Sequence, residues 1–111
     1  MMILDIFHAF ISDIQESRLE FARAMGADRA VNVSNEVEVA TLRSSHPPDV
    51  SFDCVLDCCG VESGVKLGLT LAAPSAVLVT VGRGPYEVKF NVAEVTRKEL
   101  VIKGLFRYAN W

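Results

Sequence analysis

FDCVLDCCGVESGVKLGLTLAAPSAVLVTVG, residues 52–82, is the stretch that decides the fold of this 111-residue chain. It begins with a mostly apolar run, 52–59, that ends at Gly60, and it finishes with a continuously apolar run, 76–81, that ends at Gly82. Between the two runs, apolar residues recur at helical spacing, namely Val61, Val65, Leu69 and Ala72. A strand, a helix and a second strand buried on both faces are typical of a parallel α/β sheet.

The sequence on either side predicts the same alternation of strands and helices. Three more strands are expected, over residues 8–13, 30–33 and 100–106. A helix over 15–25 should end at Gly26, because glycine readily takes the left-handed conformation that closes many helices. We expect Asn35 and Glu38 to form a capping pair for a shorter helix through Leu42.

Length, charge and hydropathy restrict the class of protein. A chain of 111 residues holds one domain at most, which excludes a cofactor domain joined to a separate substrate domain. The net charge of −3 gives no electrostatic reason to expect a nucleic-acid partner. The apolar start lacks the basic region of a secretory signal, and no apolar stretch approaches the ~20 residues that span a bilayer. We therefore expect a cytoplasmic protein with no membrane partner.

The three cysteines lie close together in the predicted strand over 52–59. Cys54 and Cys58 would be about 13 Å apart along an extended strand, which is too far for a disulfide. A bridge between the neighbours Cys58 and Cys59 would be strained. The spacing contains no Cys-x-x-Cys pair and no nearby histidine, so we expect reduced thiols and no metal site.

Asp13 is the first candidate for a binding residue, with Arg18 five residues further on. In doubly wound sheets, ligands bind outside the carboxyl ends of the strands, where an acidic residue can accept hydrogen bonds from both hydroxyls of an adenosine ribose. Such a carboxylate would repel a 2′-phosphate and so select NAD over NADP. The alternative is that Asp13 only caps the helix that follows. Gly60 and Gly82, which follow two other strands, either admit a ligand or serve ordinary turns.

Several segments resemble the medium-chain, zinc-containing dehydrogenases, in the same order and at similar spacing. Residues 13–19 with 25–28, residues 57–62 and residues 79–82 resemble the second, fourth and fifth strands of those proteins with their following turns. Residues 102–108, IKGLFRY, resemble the sixth strand of the sorbitol and xylitol dehydrogenase branch. The resemblance covers residues 11–111 and implies a partial Rossmann-type NAD-binding domain, with residues 1–10 unmatched.

The resemblance also implies which residues bind cofactor and substrate. The cofactor residues would be Asp13 and Arg18 at the adenosine ribose, Val81, Gly82 and Arg83 along the cofactor, and Leu105, Phe106 and Arg107 beside the nicotinamide. Arg107 and Tyr108 would also approach a polyol substrate. The implied reaction is hydride transfer from the polyol to NAD, which gives a ketose, with zinc polarising the alkoxide.

Two features of the family are missing from the sequence. A Gly-x-Gly-x-x-Gly turn, which places the cofactor's pyrophosphate at a helix N-terminus, should precede Asp13 and does not. The Cys, His and Glu ligands of the catalytic zinc are also absent, so no catalytic residue is assigned. We therefore expect a fragment of a polyol dehydrogenase that is inactive alone and binds NAD weakly or not at all.

Two other functions remain possible from the sequence. The chain could be a non-catalytic fragment that pairs with full-length dehydrogenase subunits through an exposed sheet edge. Methyltransferases that use S-adenosylmethionine also carry an acidic residue at the end of a second strand. Their sheet ends in an antiparallel hairpin, which this sequence does not predict.

The expected fold is an incomplete doubly wound parallel sheet that lacks the first strand. In the strand order 3-2-1-4-5-6, the missing strand lies at the centre, between the strands that end at Asp13 and Cys59. Those two strands must then pair with each other or leave unpaired edges. Residues 1–7 should be irregular or pressed into the gap, and we expect a marginally stable chain because unpaired buried backbone groups cost about 1–3 kcal/mol each.

Overall fold

The helices and strands alternate along the chain as the sequence predicts. The computed structural model describes residues 8–37, 39–40, 52–82, 84–85 and 87–105, together with the backbone of 2–4. The strands are β1 (Met2–Leu4), β2 (Ala9–Asp13), β3 (Arg29–Asn32), β4 (Phe52–Asp57), β5 (Ala72–Thr80) and β6 (Val101–Gly104). The helices are α1 (Glu16–Ala24), α2 (Glu62–Leu71) and α3 (Val92–Lys98). None of the helices in these residues is long and apolar enough to cross a membrane.

The strands form one sheet in the order β3-β2-β1-β4-β5-β6. The pairs β2 with β3, β4 with β5, and β5 with β6 are parallel, as expected for a doubly wound α/β fold. The expectation of a Rossmann-type parallel sheet is therefore confirmed. Because parallel strands share one direction, the carboxyl ends of β2 to β6 lie along the same edge of the sheet.

The centre of the sheet is occupied by β1, which runs antiparallel to both of its neighbours. Ile3 lies opposite Phe10 on one side and Val55 on the other. Residues 2–4 thus take the place left for the missing first strand, so β2 and β4 neither pair directly nor face an empty gap. Since β1 runs in the opposite direction, the chain leaves it at the amino ends of the parallel strands.

The main core lies on the face of the sheet that α2 covers. Its members are buried apolar residues of β2 to β5 and α2, including Phe10, Phe52, Val55, Leu67 and Leu78. The rings of Phe10 and Phe52 pack with their centroids 5.5 Å apart, which joins β2 to β4 across the short central strand. On the opposite face, α1 buries Leu19 and Ala22. Gly26 ends this helix region with a φ of 103°, as its sequence position predicts.

The capping residue predicted at Asn35 is present. Its Oδ1 accepts a hydrogen bond from Val37 N at 3.0 Å, and residues 36–37 and 39–40 are helical. Glu38 and the expected end of this helix at Leu42 lie outside the described residues.

Helix α3 was not expected from the sequence, although its start carries a recognisable signal. Asn91 accepts a hydrogen bond from Ala93 N at 3.0 Å, and Glu94 follows three residues after Asn91, at capping-box spacing. Lys98, in the last turn, is only 11% exposed. Its Nζ donates to the carbonyl oxygens of Leu69 at 2.8 Å and Thr70 at 3.0 Å, and it pairs with Glu94 at 2.9 Å.

Lys98 therefore joins two helices, because it satisfies carbonyls at the end of α2 that have no partner within that helix. We expect Lys98→Ala to lower the free energy of unfolding by about 1–3 kcal/mol, the usual cost of leaving buried polar groups unpaired. Arg97→Ala is the matched control, since Arg97 pairs with the same Glu94 but is 69% exposed. It should change stability by no more than about 0.5 kcal/mol. Equal losses in urea unfolding would contradict this role for Lys98.

Candidate cofactor-binding site

Asp13 lies at the carboxyl end of β2, where the chain turns into α1. Its Oδ1 accepts a hydrogen bond from Gln15 N at 2.9 Å, which fixes the turn, and its Oδ2 lies 3.5 Å from the guanidinium of Arg18. The Asp13 side chain is 17% exposed and that of Arg18 is 64% exposed. The N-cap of α1 is Gln15, which makes no side-chain capping bond, so Asp13 closes the turn before the helix and does not cap the helix itself, and part of its carboxylate stays accessible.

The environment of Asp13 favours its ionised form. Burial raises the pKa of this carboxyl, but hydrogen bonds from the backbone of Gln15 and Ile14 and the charge of Arg18 lower it by more, so the pKa lies below its ordinary value. At neutral pH Asp13 is therefore an anionic hydrogen-bond acceptor.

A cavity of about 270 Å³ opens beside Asp13, at the carboxyl edge of the sheet. It is lined by Ser12, Asp13, Ile14, Arg18, Val33, Val39, Asp57, Cys59, Val61, Ser63, Gly64 and Leu67. These residues come from the ends of β2, β3 and β4, from the helical residues after β3, and from the first turns of α2. The cavity therefore lies where ligands bind in doubly wound sheets, with apolar walls and a few polar groups.

Asp57, at the end of β4, is a second acidic residue of this cavity, and the sequence analysis did not single it out. Its side chain is fully buried. Oδ1 accepts hydrogen bonds from Cys59 N at 3.2 Å and Gly60 N at 3.1 Å, whereas Oδ2 has no hydrogen-bond partner among the residues that the structure describes. The signal that could have identified Asp57 is the one used for Asp13, an acidic residue at the carboxyl end of a strand.

The glycines after β4 and β5 pack directly against each other. A Cβ atom on Gly60 would lie 2.6 Å from Gly84 N, and one on Gly82 would overlap the backbone of Cys58. Gly60 also has a φ of 73°, which favours glycine. Both glycines therefore shape the turns, and the contact of Gly82 with a cofactor stays a prediction.

Three other predicted site residues, Val81, Gly82 and Leu105, lie further along the same edge. Leu105 N donates to Thr80 O at 3.0 Å, which places the end of β6 beside the end of β5. Val81 is 44% exposed and Leu105 46% exposed there, and neither they nor Gly82 line the cavity of Asp13. Asp13 and Arg18 therefore lie together at the cavity. Val81, Gly82 and Leu105 lie outside it. Arg83, Phe106, Arg107 and Tyr108 lie outside the described residues.

The residues that the structure describes do not fit a catalytic zinc. They contain no group of three His, Cys, Asp or Glu side chains that could hold a metal ion. Cys54, Cys58 and Cys59 are free, as predicted.

Comparison with known proteins gives the same family as the sequence motifs. The profile of zinc-binding dehydrogenases matches residues 4–111. Sorbitol dehydrogenase of Rattus norvegicus is 31% identical over 106 residues, which are 90% of this chain and 28% of that protein. D-xylulose reductase of Saccharomyces cerevisiae is 32% identical over 99 residues, again 28% of its length and 86% of this chain.

A solved structure with the same fold supports this result. It is an Escherichia coli alcohol dehydrogenase in complex with NADH, 26% identical, with a TM-score of 0.72 over 89% of this chain and 28% of that one. The chain belongs to the zinc-binding dehydrogenase family. It corresponds to the part with the Rossmann-type sheet and resembles the sorbitol and xylitol dehydrogenase branch. It spans 28% of the length of the two curated relatives named above.

The ionised state of Asp13 should contribute to stability in a pH-dependent way. A carboxyl whose pKa is lower in the folded state stabilises the fold above its unfolded pKa, and this contribution is lost as the pH falls through the folded value. We expect Asp13→Asn to lower the melting temperature at about pH 7 and to lose this effect as the pH falls through the lowered pKa of the folded state, because protonation removes the charge that the variant lacks. Asp53→Asn, at an exposed site on β4, is the control. A constant difference across this range would contradict the assignment.

Proposed function

We propose that this chain supplies the adenosine-binding part of an NAD-dependent polyol dehydrogenase. The observation that carries the proposal is the position of Asp13, an ionised carboxylate at the edge of the cavity between the ends of β2 and β4. The NADH complex of the related E. coli enzyme supports a nicotinamide cofactor as the ligand.

The ribose is the group that fits Asp13 best. A carboxylate has about four acceptor positions, and only some are used by Gln15 N and Arg18, so hydroxyl donors can still bind. A 2′-phosphate would meet this charge at short range, which favours NAD over NADP. Arg18 does not reverse the preference, because its charge is already balanced by Asp13.

The apolar walls of the cavity suit the adenine base. Ile14 follows Asp13, Val33 follows β3 and Val61 precedes α2, and all three border the same cavity as the carboxylate. Ile14 is 65% exposed, so a base placed beside it would cover apolar surface that is now in water.

The rest of the dinucleotide would be held less well. The proposed contacts of Val81, Gly82 and Arg83 along the cofactor, and of Leu105, Phe106 and Arg107 at the nicotinamide, lie away from the cavity or outside the described residues. The direction of β1 is a further reason to expect weak binding of the dinucleotide. β1 ends at the edge of the sheet opposite to the one with the cavity. We therefore propose that this chain binds NAD weakly.

The names of the relatives, sorbitol dehydrogenase and D-xylulose reductase, support a polyol as the substrate of the complete protein. In that reaction NAD accepts a hydride from a polyol carbon, which becomes the carbonyl of a ketose. Arg107 and Tyr108 would be the substrate contacts of this chain.

Its three free cysteines support a reducing, cytoplasmic location.

The adenosine site can be tested by NMR titration of the 111-residue chain. We expect adenosine to shift the amide signals of residues around the cavity, including Ile14, Val33 and Val61. Asp13→Ala should weaken binding about 10- to 100-fold, the effect of losing hydrogen bonds to a charged group. Asp53→Ala is the control, since Asp53 is exposed and does not line the cavity. If Asp13→Ala leaves the affinity for adenosine unchanged, Asp13 only shapes the turn before α1 and does not bind the ribose.

The purified chain should not oxidise sorbitol or xylitol with NAD, with or without added zinc, because its described residues contain no group of three side chains that could hold a metal ion. NADH formation followed at about 340 nm, a wavelength at which the reduced but not the oxidised cofactor absorbs, is the measurement. Zinc-dependent turnover would contradict the proposal that this chain contributes cofactor binding without the catalytic step.

A further inference from the structure

One face of the sheet has a helix over only part of its width. The face that carries the main core is covered by α2 and α3, whereas α1 packs on the other face, mainly against β2 and β3. None of the helices that the structure describes packs on that second face over β4, β5 and β6. Strands of parallel sheets are normally covered on both faces. This part of the sheet, here called the open face, therefore lacks its second layer.

The open face is apolar, and its residues alternate along the strands with those of the core. They are Leu56 of β4, Val77 and Val79 of β5, and Val101 and Lys103 of β6, and Ile11 of β2 continues the surface beside α1. Val55 and Leu78, which lie on the covered face of the same strands, are fully buried. The apolar residues of the open face are all partly exposed or exposed. Burial is thus incomplete on one side of β4 to β6.

The outer side of α1 is also unusual for a surface helix. Leu19 and Ala22 are buried against the sheet, and Ser17, Phe21 and Ala24 lie on the opposite side of the helix, at the spacing of residues that share one side. A helix side in contact with water normally carries charged residues. These three are uncharged, and Phe21 is 69% exposed. The outer side of α1 therefore suits contact with another apolar surface.

The two surfaces fit each other when the chain is paired with a second copy. α1 forms a ridge on one half of the face, and the open face is the groove beside it. A rotation of 180° about an axis parallel to the strands places the ridge of each copy in the groove of the other. Both apolar surfaces are then covered in one symmetric interface, which is the commonest kind in soluble oligomers.

The charges at the border of the two surfaces are complementary. Glu20 lies one turn after Glu16, which accepts a hydrogen bond from Asn32 of β3, so Glu20 is on the flank of α1 that faces the β3 edge. Lys103 lies on β6, at the other edge of the sheet. Within the described residues neither Glu20 nor Lys103 forms an ion pair. The rotation directs this flank of one copy towards β6 of the other, so the two opposite charges approach each other.

We propose that the open face binds a second copy of this chain, with α1 of each copy packed on the strands β4 and β5 of the other. The interface joins faces and leaves the hydrogen-bonding edge of β6 unused, and it is independent of the proposed cofactor site. It offers roughly ten residues per copy, fewer than the 20–30 of a standard interface, so the dimer should be weak, with a Kd of about 10–100 µM.

Sedimentation equilibrium of the 111-residue chain, from about 1 to 500 µM, should show a monomer that becomes a dimer across this range. Phe21→Glu should raise the Kd at least about tenfold, because it places a charge in the apolar contact. Val92→Glu is the matched control, since Val92 is a similarly exposed apolar helix residue, at 65%, on α3 of the covered face. It should leave the Kd within about twofold.

Charge reversal tests the orientation of the two copies. Glu20→Lys and Lys103→Glu should each weaken the dimer about threefold, and the variant with both changes should regain the original Kd. Both side chains are exposed, so the changes leave the fold intact. A monomer at all concentrations, or association that survives Phe21→Glu, would overturn the inference. A double variant that dimerises no better than the single ones would do the same.

Discussion

Backbone hydrogen bonding at the centre of the sheet is the constraint on which the rest of the structure depends. Without β1, the strands β2 and β4 would carry unpaired N–H and C=O groups on the edges that face each other. Each such group costs about 1–3 kcal/mol if it is buried without a partner. A domain of this size has only about 5–15 kcal/mol of stability in total. The three residues of β1 supply the missing partners on both sides, through Ile11 to Ala9 and through Leu56 to Cys54.

The position of β1 also sets the geometry of the candidate site. It holds β2 and β4 one strand apart, so the carboxylates of Asp13 and Asp57 border one cavity instead of meeting directly. Its antiparallel direction separates two features of the proposed dinucleotide site. Asp13, the proposed ribose contact, lies at the carboxyl edge of the parallel strands, whereas β1 itself ends at their amino edge.

Much of the fold follows from local sequence patterns. The strands β2 to β6 and the helices α1 and α2 are those that alternating apolar runs and helical spacing predict, although β5 begins at Ala72, earlier than the predicted run over 76–81. Asp13 lies beside Arg18, 3.5 Å away. The antiparallel β1 could not be predicted in this way, because three apolar residues carry no information about their partners or direction. α3 was missed although Asn91 and Glu94 marked its start.

A candidate site residue could be predicted from the sequence only where its residue type and its position at a strand end were informative by themselves. Asp13 is acidic at a strand end, which fits either a helix cap or a ribose contact, and the ribose contact was predicted from the family resemblance of the surrounding residues. The role of Gly82 depends on the close approach of a turn 24 residues earlier in the chain, at Cys58. Asp57 carries the same sequence signal as Asp13, an acidic residue at a strand end, but its burial and its unpaired oxygen are visible only in the folded chain, because they depend on the groups around it.

The direction of β1 can be measured directly by nuclear Overhauser contacts between backbone protons of the isotopically labelled chain. The account predicts the contact pattern of antiparallel strands between residues 2–4 and both neighbours, including Met2 with Ile11 and Leu56, and Leu4 with Ala9 and Cys54. Contacts of the parallel type, or direct contacts between β2 and β4 without any from residues 2–4, would contradict it.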